Sequence, residues 1–219
     1  MEVIREDLAK ISDLLTTLDE KREEILLLTR ELTRKTKEAI FAMHRGDWDR
    51  SSGCLEEART ILKRIASFRQ ESPYIYYSGS VIAAQAEYVE AEMLHSVLRN
   101  RKPPSFTELG VEPQSYLLGL GDLVGELRRS VLDELRRDNV ERAWQLMELM
   151  EGIYFELEKF SLPEALVPGL RHKVDVARAL IENTRKDILF SEKSSKLSRK
   201  IEEFLSKEGE SRERGLLDR

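Results

Sequence analysis

Cysteine is nearly absent: Cys54 is the only one in 219 residues. A single thiol excludes a disulfide framework within the chain and a thiolate metal cage. On a helix such a residue serves as a small buried hydrophobe. Proline and glycine are scarce, at 6 and 11 residues, so few breaks interrupt the chain and long elements are expected. No run of 18 apolar residues occurs, so no membrane-spanning helix is expected. Residues 1–20 mix charges without an apolar stretch, so no signal peptide is expected and the cytoplasm is the expected compartment. Strand alternation, a fixed-period repeat, a glycine-rich phosphate loop and zinc-ligand spacing are missing as well.

Charge is what the sequence has in excess. Charged residues make up 35% of the chain and hydrophobic residues 41%. The first figure suits helices with long solvated faces, and the second is enough to build a core. The net charge is −5 and the isoelectric point about 5.5. The chain as a whole therefore does not attract nucleic acid, and any such role needs a local basic face.

The periodicity is helical throughout. Ile4, Leu8, Ile11, Leu14, Leu15, Leu18, Ile25, Leu28 and Leu32 recur at three- and four-residue steps, which predicts one helix over 3–44. Gly46-Asp47 ends it, and Asp47 or Asp49 can cap a second helix running to about Arg69. Ser72-Pro73 starts a third, expected to continue to about Asn100, where Lys102-Pro103-Pro104 stops it. Residues 103–112 read as a loop with room for a helical turn. Further helices are predicted over Pro113–Asp138, Val140–Phe160 and from Leu170 to Phe190 or beyond, with weaker periodicity over 191–207. The expected fold is therefore all-α, a single-domain bundle of six to seven long helices over 1–207, with a frayed polar tail over 208–219.

Two places hold acids where acids are costly. In Ala86-Glu87-Tyr88-Val89-Glu90-Ala91, the three-residue step puts Glu87 and Glu90 on one helix face among apolar neighbours. In Gly119-Leu120-Gly121-Asp122-Leu123-Val124-Gly125-Glu126, a four-residue step does the same for Asp122 and Glu126. Each of the three glycines weakens a helix by about 1 kcal/mol relative to alanine. Their presence around two acids suggests close approach of another backbone or a ligand. If the two faces meet, four carboxylates converge, and they need a counter-charge. A divalent cation supplies one, and an all-oxygen shell favours Mg²⁺ or Mn²⁺ over zinc. Phosphodiester hydrolysis is the chemistry such an ion supports. The plainer reading is that acid pairs at helical spacing sit on any charged helix.

Glu92-Met93-Leu94-His95 has the Glu-x-x-His step of di-iron bundles. That site needs two such motifs, and neither His44 nor His172 has a glutamate three residues before it. Basic residues cluster at Arg59, Lys63, Arg64 and Arg69, and Arg128-Arg129 follows Glu126. Contacts to RNA phosphates are the functional reading of Arg59, Lys63, Arg64, Arg128 and Arg129. Ion pairing with Glu56, Glu57 and Glu71 is the plain one. Trp48 and Trp144 read as packing residues.

At these residues the chain resembles the translin family. Ala86-Glu87-Tyr88-Val89-Glu90-Ala91 is similar to the Glu-Tyr-Val-Glu-Ala signature of its factor X branch. Tyr116-Leu117-Leu118-Gly119 and Asp122-Leu123-Val124-Gly125-Glu126-Leu127-Arg128-Arg129 resemble the Tyr-Leu-Leu-Gly and Asp-Leu-Thr-Gly-Glu-Leu-Met-Arg strings of that branch. Helix order agrees over roughly 5–190. The resemblance implies an all-α bundle of about seven helices, assembly into hollow octamers that enclose RNA, and Mg²⁺-dependent endoribonuclease activity. It carries the catalytic, metal-holding acids onto Glu87, Glu90 and Asp122, with Glu126 as a fourth. The alternative within the family is a non-catalytic, single-stranded nucleic-acid-binding protein like translin itself. Val124 stands where the branch has threonine, and a basic N-terminal extension is missing. An archaeal member that assembles with copies of itself, rather than with a second kind of subunit, is therefore expected.

Overall fold

The computed structural model describes residues 1–217, and all of their side chains except those of Glu203 and 206–217. The tail expected over 208–219 lies outside the described residues in its side chains, and at 218–219 altogether. Eight helices are present among the described residues: α1 (Glu2–His44), α2 (Trp48–Glu71), α3 (Pro73–Tyr76), α4 (Gly79–Leu98), α5 (Phe106–Leu109), α6 (Pro113–Leu135), α7 (Val140–Glu158) and α8 (Leu170–Leu217). Six are long and two are single turns. The backbone groups into two compact units, one of 1–123 with 157–174 and one of 124–156 with 175–219.

In the first unit, α1 packs along α2 and α4. Its apolar stripe is buried from Ile25 onward, through Leu28, Leu32, Ala39 and Met43. The helix stops where Gly46 takes the left-handed conformation, φ 74°. There Gly46 N–H donates to the Met43 carbonyl at 2.9 Å and Asp47 N–H to that of Ala42 at 2.9 Å. This paired arrangement satisfies the last carbonyls and needs a residue without Cβ strain at position 46. Asp47 then caps α2 by accepting from Arg50 N–H at 3.2 Å, as its position in the sequence suggests.

The single helix expected over Pro73–Asn100 is two. Ser72 and Pro73 start α3 as predicted, but Ser78 is extended (ψ 153°). Its hydroxyl bonds that of Ser80 at 3.0 Å, and Gly79 follows. Serine hydroxyls that bond locally compete with the helix, and glycine adds backbone freedom. The turn inside 103–112 is α5, held by a capping box between Ser105 and Glu108.

α4 is buried over most of its surface, from Val81 through Ser96. Gln85, 1% exposed, is bonded through both its nitrogen and its oxygen. Its amide donates to the Tyr76 hydroxyl at 3.3 Å. Its oxygen accepts from Glu112 N–H at 3.0 Å and from the Ser115 hydroxyl at 3.1 Å. Tyr76 in turn donates to Glu112 at 3.0 Å. A buried amide bonded at both ends fixes α3, α4 and the start of α6 in one register.

The sequence links the α6 glycines to close approach, and Gly119 bears this out. A Cβ there would lie 2.5 Å from the Ala86 carbonyl oxygen and 2.7 Å from Val89 Cβ on α4. At Gly125 a Cβ would meet nothing within 4 Å. Two opposite results follow. Gly119→Ala forces backbones apart, and after its gain in helix propensity is expected to lose about 2 kcal/mol. Gly125→Ala keeps only the propensity gain and is expected to stabilise by about 1 kcal/mol. Urea unfolding of both variants checks the pair.

In the second unit, Leu127, Val131, Leu146, Met147, Met150, Ala177, Ile181 and Ile188 are buried. Arg128 ties α6 to α8, donating to the Thr184 hydroxyl at 2.7 Å and to Asp187 at 3.0 Å. Arg185 pairs with Glu151 and ties α8 to α7. No helix among the described residues is long and apolar enough to cross a membrane.

Candidate carboxylate site

The crossing of α4 and α6 at Ala86, Val89 and Gly119 positions the acids of the first unit. Glu87 and Glu90 each follow one of the α4 contact residues, and Asp122 lies one turn beyond Gly119. Glu90 is buried, at 9% exposure, between the fully buried Val89 and Ala91. Glu87 is partly exposed and lies 3.8 Å from the Lys37 ammonium. Asp122 is partly exposed and accepts from the Lys173 ammonium. Lys173 is fixed in turn, since its Cβ sits 2.9 Å from where a Cβ on Gly121 would stand. The second glycine of the run thus makes room for the lysine that holds the acid.

Glu126 falls in the second unit, where Arg129 approaches it at 3.9 Å.

Lys37 on α1 and Lys173 at the start of α8 therefore pair with two of these acids, and sequence reasoning missed both. Each is about 50 residues from the acid it neutralises, and nothing in the local pattern of either marks it. They supply the counter-charge that the carboxylates require. Among the described residues no group of three His, Cys, Asp or Glu is placed to hold a metal ion. The donor set of Glu87, Glu90 and Asp122 is all carboxylate, the chemistry that suits Mg²⁺ or Mn²⁺. For an ion to take Asp122 as a ligand, Lys173 must release it.

The basic residues divide. Arg59 donates to Glu92 at 2.9 Å and to Glu56 at 2.7 Å. Glu92 is buried and also accepts from the Tyr88 hydroxyl at 2.8 Å. Burial, with Glu92 alongside, pushes the Tyr88 phenol well above its usual range, and the Tyr88 and Glu92 contacts raise the Arg59 guanidinium. Arg128 is engaged as described above. Lys63 and Arg64 are exposed on α2, with Arg64 3.8 Å from Glu24, and Arg129 is about half exposed.

His95, of the Glu-x-x-His step, is buried and lies 3.3 Å from the Ser52 hydroxyl through Nε2. Trp48 meets its ring edge-on at 6.1 Å and carries Arg99 over its face at 5.3 Å. Burial pulls the His95 imidazole below its ordinary range. His95 and Trp48 pack against each other, as the sequence suggests for Trp48.

An all-α chain whose α4, bearing the buried Glu90, meets α6 across Gly119 defines a narrow class. The chain belongs to that class as a member of the translin family, whose model matches residues 20–184. It is 34% identical over 189 residues to an uncharacterized protein of Methanocaldococcus jannaschii, covering 85% of this chain and 83% of that one. It is 23% identical over 193 residues to the translin-associated protein X homolog of Schizosaccharomyces pombe, covering 79% and 81%. Among solved structures it is similar to AfC3PO in a complex with duplex RNA, at 33% identity and a TM-score of 0.79, covering 85% of this chain and 97% of that one. It is also similar to apo-NeC3PO, at 28% identity and a TM-score of 0.76, covering 84% and 96%.

Proposed function

We propose that the chain is a metal-dependent endoribonuclease that cleaves RNA phosphodiester bonds inside a homo-oligomeric shell, an octamer on the family pattern. The observation that supports this reading is the close approach of α4, which carries Glu87 and Glu90, to α6, which carries Asp122, with Glu90 nine-tenths buried. A protein that only bound RNA would have no use for acids there, because carboxylates repel phosphates. The similarity to AfC3PO, a protein seen with duplex RNA, supports RNA as the substrate class.

Glu87, Glu90 and Asp122 would hold Mg²⁺ or Mn²⁺, which when bound supplies a more acidic water and stabilises charge on the phosphate. Lys173, once released from Asp122, is free to pair with a phosphate oxygen. Lys63, Arg64 and Arg129 are the exposed cations available to position the strand. Arg59 and Arg128 contribute through the fold instead, because protein oxygens occupy them.

A non-catalytic RNA binder is the second reading, and the lysine pairing of Glu87 and Asp122 favours it. One experiment separates the two. A labelled short RNA is incubated with the chain in Mg²⁺ or Mn²⁺, in EDTA, and with a Glu87→Ala/Glu90→Ala variant. Metal-dependent cutting that the variant loses is the expected result. RNA binding without cutting in any metal would leave the binder.

A further inference from the structure

α1 is 43 residues long, or about 65 Å at 1.5 Å per residue, and only its second half is buried. Its core-facing residues follow a heptad over the whole length, apolar except at Arg22, Thr29 and Thr36. Ile4, Ile11, Leu18, Ile25, Leu32 and Ala39 hold one core position, and Leu8, Leu15, Arg22, Thr29, Thr36 and Met43 the other. From Ile25 to Met43 every member of both sets is buried. From Ile4 to Leu15 every member is exposed, at 57% for Ile4, 61% for Leu8, 49% for Ile11 and 60% for Leu15. The same seam that packs inside the first unit therefore continues outward uncovered among the described residues. A strict seven-residue repeat is the pattern that accepts another helix by knobs-into-holes packing.

The residues flanking the seam say which helix fits. On one side stand Asp7, Leu14 and Lys21, and on the other Arg5, Ser12 and Asp19. A second copy of this segment laid antiparallel, with residue numbers summing to 26 at each core layer, pairs Leu8 with Leu18 and Ile11 with Leu15, and sets Ile4 against the stem of Arg22 at each end. The flanks then place Asp7 against Lys21 of the second copy, Arg5 against its Asp19, Leu14 against its Leu14 and Ser12 against its Ser12. All four charged pairs in the symmetric assembly are of opposite sign. Sliding the register by one heptad either way sets Asp7 or Lys21 against Leu14. A parallel arrangement sets Arg22 against Arg22 and Asp7 against Ser12. Flanking charges set orientation and partner in such assemblies, so this sequence selects one of the four.

We infer that the free half of α1, from Ile4 to Arg22, is a self-pairing surface that joins two copies as an antiparallel coiled coil centred between Ile11 and Leu15. The inference deepens the self-assembly in the proposed function and gives that assembly one defined joint.

The test uses the full chain with one cysteine added, Leu14→Cys or, separately, Leu8→Cys. Both positions are exposed, and the native Cys54 is buried, so unaltered chain serves as the control. In the antiparallel joint the two Leu14 positions are neighbours. The two Leu8 positions lie ten residues apart along the axis, about 15 Å. A short bismaleimide is expected to link Leu14→Cys into covalent dimers and to leave Leu8→Cys single. Adding Asp7→Lys should cut the dimer yield severalfold, and adding Lys21→Asp to that should restore it. Linking at Leu8→Cys alone would overturn the antiparallel order. No linking in a chain that sediments as an oligomer would overturn this joint and leave self-assembly intact. A single-chain mass would overturn both.

Discussion

Glu90→Gln is expected to lower metal-dependent RNA cleavage about a thousandfold while lowering the melting temperature of the protein by only a few degrees. The substitution keeps the volume of a side chain set between fully buried neighbours, so packing is preserved. It removes one negative charge and keeps a side chain of the same length that still accepts and donates hydrogen bonds. Cleavage responds differently, because a neutral amide is a poorer ligand for a divalent ion than a carboxylate. Ion-assisted chemistry supplies several kcal/mol of transition-state stabilisation, and a loss of about 4 kcal/mol is a thousandfold in rate. Single-turnover cleavage at saturating Mg²⁺, with thermal unfolding followed by circular dichroism, reads both quantities on one preparation. An unchanged rate would remove Glu90 from the site. A fall in melting temperature that matches the loss of rate would make the residue structural.

How far the sequence reached depends on the range of the physics involved. Helices depend on spacing over a few residues, so all six long ones could be read from the chain, as could the Gly46 stop and the Asp47 cap. The break at Ser78 was missed because a hydroxyl pair and a glycine had to outweigh an apolar run that reads as continuous. The acids of α4 and α6 stood out because carboxylates among alanines and glycines are costly without a purpose. Gly119 and Gly121 have that purpose in the structure, against α4 and Lys173, whereas Gly125 has none that packing reveals. Partners across the fold were out of reach. Lys37 and Lys173 look like ordinary surface lysines in sequence, and Arg59 and Arg128 look as suited to phosphate as Lys63 does. Only the folded chain places Glu92 beside Arg59, and Thr184 and Asp187 beside Arg128.

That difference makes Arg59 the sharpest test of fold against function. Arg59→Met is expected to destabilise the protein by about 2–3 kcal/mol, lowering its melting temperature by about 5–10 °C for a chain of this size. The change strips the cation from Glu92, which is buried and whose carboxylate also receives the Tyr88 hydroxyl. A buried carboxylate left with one neutral donor keeps its desolvation cost and loses most of its compensation. The effect stays below the 3–5 kcal/mol typical of fully buried pairs because Arg59 is itself 44% exposed, and water can partly take its place. Restoring the balance should restore stability. In Arg59→Met/Glu92→Leu no buried charge is left unanswered, so the double variant is expected to recover part of what the single one loses, the exposed Glu56 and the Tyr88 hydroxyl being left without these partners. A double-mutant cycle measured by urea unfolding gives the coupling directly. If Arg59 acted mainly on RNA phosphates, Arg59→Met would instead weaken RNA affinity, flatten its dependence on salt and leave unfolding unchanged.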